Sequence, residues 1–174
     1  MFYIKHIKNE EHYSFLINNV LKQAKEFVWI GTADIKDLHI KKNTKIIPFL
    51  KELDLLIKKG INIRLIHAKE PGKQFIKDFD RFPVLVKNLE RSLCIRVHFK
   101  IIIIDGKIAY TGSANLTGAA FGMRSKSTRN FESGIITNDP EFVESIMNQF
   151  DDVWAGKFCK KCNFRKVCPD PIIV

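Results

Sequence analysis

Residues 94–118 read Cys94-Ile-Arg-Val-His98-Phe-Lys100-Ile-Ile-Ile-Ile-Asp105-Gly-Lys-Ile-Ala-Tyr-Thr-Gly112-Ser113-Ala-Asn115-Leu-Thr-Gly118. The β-branched run predicts an extended, buried strand over 97–104, with side chains alternating between its faces. His98 and Lys100 stand two apart and therefore share a face. Asp105-Gly106 between apolar strand residues is a hairpin signal, with a return strand over 107–111. The fixed positions spell H-x-K-x4-D-x6-G-S-x-N. A bare H-x-K pair is commonly a core strand with a hydrogen-bonded histidine and a lysine that snorkels to water. The full string at this spacing is a stronger signal. A nucleophile or base beside a cation on a rigid strand makes a site for a phosphate.

Working outward, Asn9 is placed to cap a helix over 10–25 whose Tyr13, Leu16, Ile17, Val20 and Ala24 share one face. A buried strand follows over 27–33. The polar stretch 34–45 reads as an exposed loop, and its Lys41 and Lys42 are candidates for phosphate contact. Pro48 fits the first turn of a second helix, which Gly60 ends. Residues 61–66 alternate as a strand. Over 73–89 the stripe Phe75, Phe79, Phe82, Val86, Leu89 is helical and broken by Pro83, giving two short helices or one kinked helix. That stripe fits core, or a subunit interface.

Beyond the central motif, 115–121 reads as a helical turn and 123–130 as a basic loop carrying Arg124, Lys126 and Arg129. Residues 131–137 form another strand. Asp139-Pro140-Glu141 then starts a helix with a cap, a proline at its first position and an acid in its first turn. This helix buries Phe142, Val143, Ile146, Met147, Phe150 and Trp154, and stops at Gly156. Strands interleaved with helices, then a hairpin, predict an α/β domain over 1–156 with a mixed β-sheet flanked by helices. A cysteine-rich tail follows over 157–174.

The chain of 174 residues carries 29 Lys and Arg against 19 acids, a formal charge of +10. That surplus favours polyanionic partners, nucleic acid (DNA or RNA) first and an anionic lipid surface second. No segment approaches the roughly 18 apolar residues that span a bilayer. The first residues hold neither a long apolar stretch nor a cleavage pattern, so a cytoplasmic location with reduced cysteines is expected.

The central string resembles the signature of the phospholipase D superfamily at every fixed position, and the surrounding element order is similar over 10–154. The resemblance implies phosphodiester chemistry in which His98 attacks phosphorus and a second histidine protonates the leaving oxygen. It also implies that Glu132, in the context Arg-Asn-Phe-Glu, hydrogen-bonds the catalytic histidine; the alternative is an exposed strand acid. Lys100, Ser113 and Asn115 would bind the non-bridging oxygens. Gly112 would let the backbone turn tightly, and Asp105, off the reacting face, would hold the turn. One imidazole cannot flank phosphorus on both sides, and the chain holds a single copy of the full string. The expectation is therefore a homodimer with one composite site, as in the short single-motif nucleases of the superfamily. A phospholipid-cleaving member and a non-catalytic nucleic-acid-binding module are the alternatives. No catalytic metal is expected, because lysine supplies the positive charge.

The tail places Cys159, Cys162 and Cys168 at C-x2-C-x5-C spacing. Three thiols this dense in a reducing compartment point to a metal rather than a disulfide. Cys94, read as lying on the His98 face of the strand, is the candidate fourth ligand, with His67 the alternative. Structural zinc and a [4Fe–4S] cluster both fit the ligand type. The spacing also resembles, over these three cysteines alone, the iron–sulfur staple of Cas4-type and AddB-type nucleases.

Overall fold

The structure, a computed structural model, describes residues 2–36, 38–42 and 45–172; nothing is assigned to the side chains of 41, 42 and 45. Seven strands form one mixed sheet. They are β1 (Ile4–Lys8), β2 (Phe27–Thr32), β5 (Asn62–His67), β6 (Glu90–Leu93), β7 (Ile101–Ile104), β8 (Ile108–Gly112) and β9 (Ser133–Thr137), ordered β1-β9-β8-β7-β2-β5-β6. β2, β5 and β6 run parallel, whereas β7, β8, β9 and β1 pair antiparallel. A separate hairpin joins β3 (His39–Lys42) to β4 (Lys45–Pro48).

Alternation along the central strands feeds two cores. Val28 and Ile30 of β2, Ile102 and Ile104 of β7 and Tyr110 of β8 face one side. That side is covered by a widened, π-type helix (His12–Val20), by α1 (Leu50–Lys58), and by residues of α2 (Lys73–Phe79) and α3 (Pro83–Asn88). Ile101 and Ile103 point to the other side, under Val143, Ile146 and Phe150 of α4 (Pro140–Trp154). There Trp29 stacks on Phe150 at 5.1 Å and Phe150 on Trp154 at 5.7 Å. α4 begins as read, with the Asp139 carboxylate accepting from the Phe142 N–H at 3.0 Å.

Several expectations are corrected. Asn9 is no helix cap: it sits at φ 48° and its side chain accepts from the Glu132 N–H instead. The helix it precedes is shorter than 10–25 and closes in a single 3-10 turn, Leu21–Gln23. The exposed loop at 34–45 contains the β3–β4 hairpin, whose basic side chains mask the alternation that buries Ile40. Pro48 ends β4 rather than opening a helix. Strands β1 and β6 carry few apolar residues because they are the sheet edges, where charge suits an unpaired side. The strand expected from 97 begins only at Ile101, because β2 offers pairing partners no further than Gly31↔Ile101. Pro83 yields two short helices, with Phe75, Leu85 and Leu89 buried as core and Val86 47% exposed.

Candidate active site

β2 ends at Thr32, β8 at Gly112, and the extended segment 97–100 enters β7 between them, so three chain segments meet at one rim of the sheet. The Gly112 N–H donates to the Lys100 carbonyl at 3.1 Å, which fixes the segment against the end of β8. His98 is exposed at this rim, while Lys100 is only 8% exposed. The Lys100 ammonium lies 2.6 Å from the His98 carbonyl oxygen and 3.3 Å from His98 Nδ1. Burial lowers the Lys100 pKa from its ordinary value, and the Glu132 carboxylate opposes that shift. A poorly hydrated cation close to a solvent-facing imidazole is arranged to receive an anion.

Asn115 is held by its oxygen, which accepts from the Asp34 N–H at 3.1 Å with Thr32 Oγ1 at 3.4 Å. Its amide NH2 is thus the end free to donate to a ligand. Thr32 Oγ1 donates to the Asp34 carbonyl at 2.8 Å and accepts from the Leu116 N–H at 3.1 Å, tying β2 to the loop after β8. Thr32 and Asp34 were not singled out in the sequence, where Thr32 looks like the end of an apolar run. Glu132 accepts from Ser113 Oγ and, at 3.0 Å, from Asn130 Nδ2. Its hydrogen bonds therefore go to Ser113 and Asn130 rather than to a histidine.

Two motif residues work on the backbone. Asp105 (φ 53°) and Gly106 (φ 61°) form the tight turn, closed by Lys107 N–H to Ile104 carbonyl at 2.9 Å. The Asp105 carboxylate reaches beyond the turn and accepts the N–H groups of Lys25, Glu26 and Phe27, each at 2.9 Å. Burial works against its charged form, but these three donors outweigh that and lower its pKa. Gly112 serves close packing rather than turning, since a Cβ there would lie 2.6 Å from the Ser133 carbonyl oxygen and from Tyr110 Oη.

Phe99 and Val97 point away from His98 into the core under α4. Gly31 makes room for them: a Cβ there would stand 2.3 Å from the Phe99 ring. Among the basic candidates, Arg124 and Lys126 are exposed. Arg129 is 13% exposed and paired with Glu10 at 2.7 Å, so its charge is already engaged. The Lys41 and Lys42 side chains lie outside the described residues.

All four cysteines are free, and all line one cavity behind the site. Cys94 does not share the His98 face. It follows β6 and opens a turn closed by Val97 N–H to Cys94 carbonyl at 2.9 Å, and it packs with Val97 and Phe99. His67 does not line the cavity; its Nδ1 lies 2.8 Å from the Lys69 carbonyl oxygen.

Fold and rim together define a phospholipase D-like domain. Residues 17–154 match the family described as "Cardiolipin synthase, PLD-like domain", and the chain belongs to that family. It is 29% identical over 97 residues to a mitochondrial cardiolipin hydrolase of Chlamydomonas reinhardtii, a match over 55% of this chain that spans only 41% of that protein. Among solved structures it superposes on NucT from Helicobacter pylori with a TM-score of 0.63 at 19% identity, covering 87% of this chain and 95% of that one. Nuc from Salmonella typhimurium, a phospholipase D family member, gives a TM-score of 0.63 at 19% identity over 88% and 95% of the two chains. No helix among the described residues is long and apolar enough to cross a membrane.

Proposed function

We propose that the protein cleaves nucleic-acid phosphodiester bonds as an endonuclease, through a phosphohistidine on His98, at a site completed by a second copy of the chain. The observation that carries this reading is the half-site at the rim: one exposed imidazole beside one buried ammonium, with the full H-x-K-x4-D-x6-G-S-x-N string present once in the chain. His98 Nε2 attacks phosphorus, and the bond to the leaving oxygen breaks as that oxygen takes a proton from His98 of the partner subunit. Water then attacks the phosphohistidine, giving its proton to that now neutral imidazole, and the N–P bond breaks to release a phosphomonoester. Lys100 and the Asn115 amide meet the charge on the non-bridging oxygens. The two copies of His98 thus enter the reaction in different states, the nucleophile neutral and the acid protonated.

The net charge of +10 and the exposed Arg124 and Lys126 support a nucleic-acid backbone as substrate, read without base specificity. The test is cleavage of labelled single- and double-stranded DNA and RNA in chelator, with His98→Ala inactive. A His98→Ala protein that cleaves like its parent refutes the catalytic assignment. An equal mixture of parent and His98→Ala, unfolded and refolded together, should retain about a quarter of parental activity if each site needs two copies, against about half for independent chains. The family description and the Chlamydomonas relative favour a second reading, hydrolysis of an anionic phospholipid. Head-group release from cardiolipin vesicles, with no cut in any nucleic acid, would establish it instead.

A further inference from the structure

After α4 the chain runs through successive turns: Cys159 N–H to Gly156 carbonyl at 2.8 Å, Cys162 to Cys159 at 3.2 Å, Arg165 to Cys162 at 3.1 Å and Val167 to Phe164 at 3.0 Å. Among its described residues it has no helix or strand, and Phe158, Phe164 and Val167 are 49%, 51% and 70% exposed. Such a segment has too little apolar burial to hold its shape unaided. It nevertheless closes on itself and on the domain. Ile172 packs over Gly156, where a Cβ would stand 2.7 Å from it, and the Asp170 carboxylate accepts from Ser92 Oγ and the Leu93 N–H, both at 3.1 Å. The second anchor sets the tail against the end of β6, one residue before Cys94.

The closed loop surrounds a cavity of about 310 Å³ lined by Cys94, Cys159, Cys162 and Cys168. These are all the cysteines in the sequence, drawn from two places 65 residues apart at their nearest, Cys94 and Cys159. The remaining wall is mainly apolar, with Val97, Phe99, Val153, Phe158 and Phe164, while Arg96, Arg165, Gln149 and Asp152 are its polar members, the last already paired with Lys157 at 2.8 Å. Arg96 Nη1 stands 3.6 Å from Cys162 Sγ, an arrangement that suits a thiolate.

We propose that Cys94, Cys159, Cys162 and Cys168 ligate a metal centre that staples the tail to the catalytic domain, and that its occupant is an iron–sulfur cluster. Four thiolates match the ligand set of a [4Fe–4S] cluster and of a closed zinc site alike. The cavity separates them. A single zinc at about 2.3 Å from each sulfur draws the sulfurs to about 3.8 Å from one another and leaves no space between them. Here the four cysteines border open volume, and no three His, Cys, Asp or Glu side chains among the described residues close round one ion. A polynuclear cluster fills such a space, and the largely apolar walls and two arginines suit its negatively charged core. The inference is independent of which phosphodiester is cleaved.

The test is metal and sulfide analysis of the full chain purified without oxygen. The expected result is a brown protein with about four irons and four acid-labile sulfides per chain, both lost in Cys162→Ser and in Cys94→Ser. One zinc per chain overturns the cluster, and thiols that titrate fully in metal-free protein, or two disulfides, overturn the metal centre. A cluster retained in Cys94→Ser removes Cys94 from the ligand set. Because the parent chain decides the metal question by itself, a serine variant that fails to fold does not blunt the test; reconstitution of apo-protein with iron and sulfide, or with zinc, supplies a second measurement.

Discussion

Replacing Asp105 by glycine removes a carboxylate that collects the N–H groups of Lys25, Glu26 and Phe27 at 2.9 Å each, while keeping a residue that tolerates the φ of 53° found there. The loss therefore reports the acceptors and not backbone strain. A hydrogen bond to a charged group contributes about 1.5–3 kcal/mol. Lys25 and Glu26 are exposed and their N–H groups can turn to water, whereas Phe27 is half-buried. The sum is accordingly about 2–4 kcal/mol, which for a chain of this size lowers Tm by roughly 5–15 °C. Asp105→Asn keeps an oxygen for two of the three donors and should lose about half as much. The pH dependence has a definite sign. The folded-state pKa is lowered, so the carboxylate's stabilisation is full above its unfolded value of about 3.9 and is lost as pH falls through the folded value. Urea melts of parent and glycine variant should differ by a constant amount from about pH 7 to pH 5 and converge below about pH 4. A Tm within about 1 °C of the parent, or a gap that does not narrow in acid, refutes the anchoring role.

Lys100→Met should cut turnover by about 10²–10³-fold while leaving Tm unchanged or higher, because it removes a buried ammonium along with an oxyanion donor. Gly112→Ala places a methyl 2.6 Å from the Ser133 carbonyl and should cost about 1–3 kcal/mol in urea melts by forcing β8 from β9. Gly31→Ala displaces the Phe99 ring and should lower activity more than stability, read by comparing kcat with the melting midpoint. Arg129→Ala should lower Tm through loss of the Glu10 pair with little change in nucleic-acid affinity. Arg124→Ala and Lys126→Ala should instead weaken binding and each reduce the salt slope by about one, read by titration at several salt concentrations.

The central hairpin was legible because its signals are local: four isoleucines in a row, Asp-Gly between apolar strands, and fixed polar positions. The edge strands were not. In β1 only Ile7 is fully buried and its neighbours are charged, so the alternation carries no apolar weight. The β3–β4 hairpin was hidden in the same way beneath lysines. At the site, His98, Lys100, Ser113 and Asn115 could be named from spacing, but the Thr32–Asp34–Asn115 contacts join residues more than 80 positions apart and leave no periodic trace. Cys94 lies off the His98 face because the strand itself begins only at Ile101. A turn, not a pleat, precedes His98.

That turn links the two ends of the molecule's chemistry. Residues 97–100 alternate, so Val97 and Phe99 form part of the cysteine cavity while His98 and Lys100 face the rim. In an extended segment a slip of one residue exchanges the faces, which would bury the imidazole and expose the two apolar side chains. The segment has few ladder partners to prevent this, since regular pairing begins only at Ile101. Its register is set instead at both ends. The Lys100 carbonyl is held by Gly112, and the Cys94 N–H donates to the His67 carbonyl at 2.9 Å. Phe99 over Gly31 locks the middle, because no other residue at position 31 leaves space for the ring. The cysteine cavity thus lies directly behind His98, and whatever fills it bears on the same segment, 97–100, that places His98 and Lys100 at the rim.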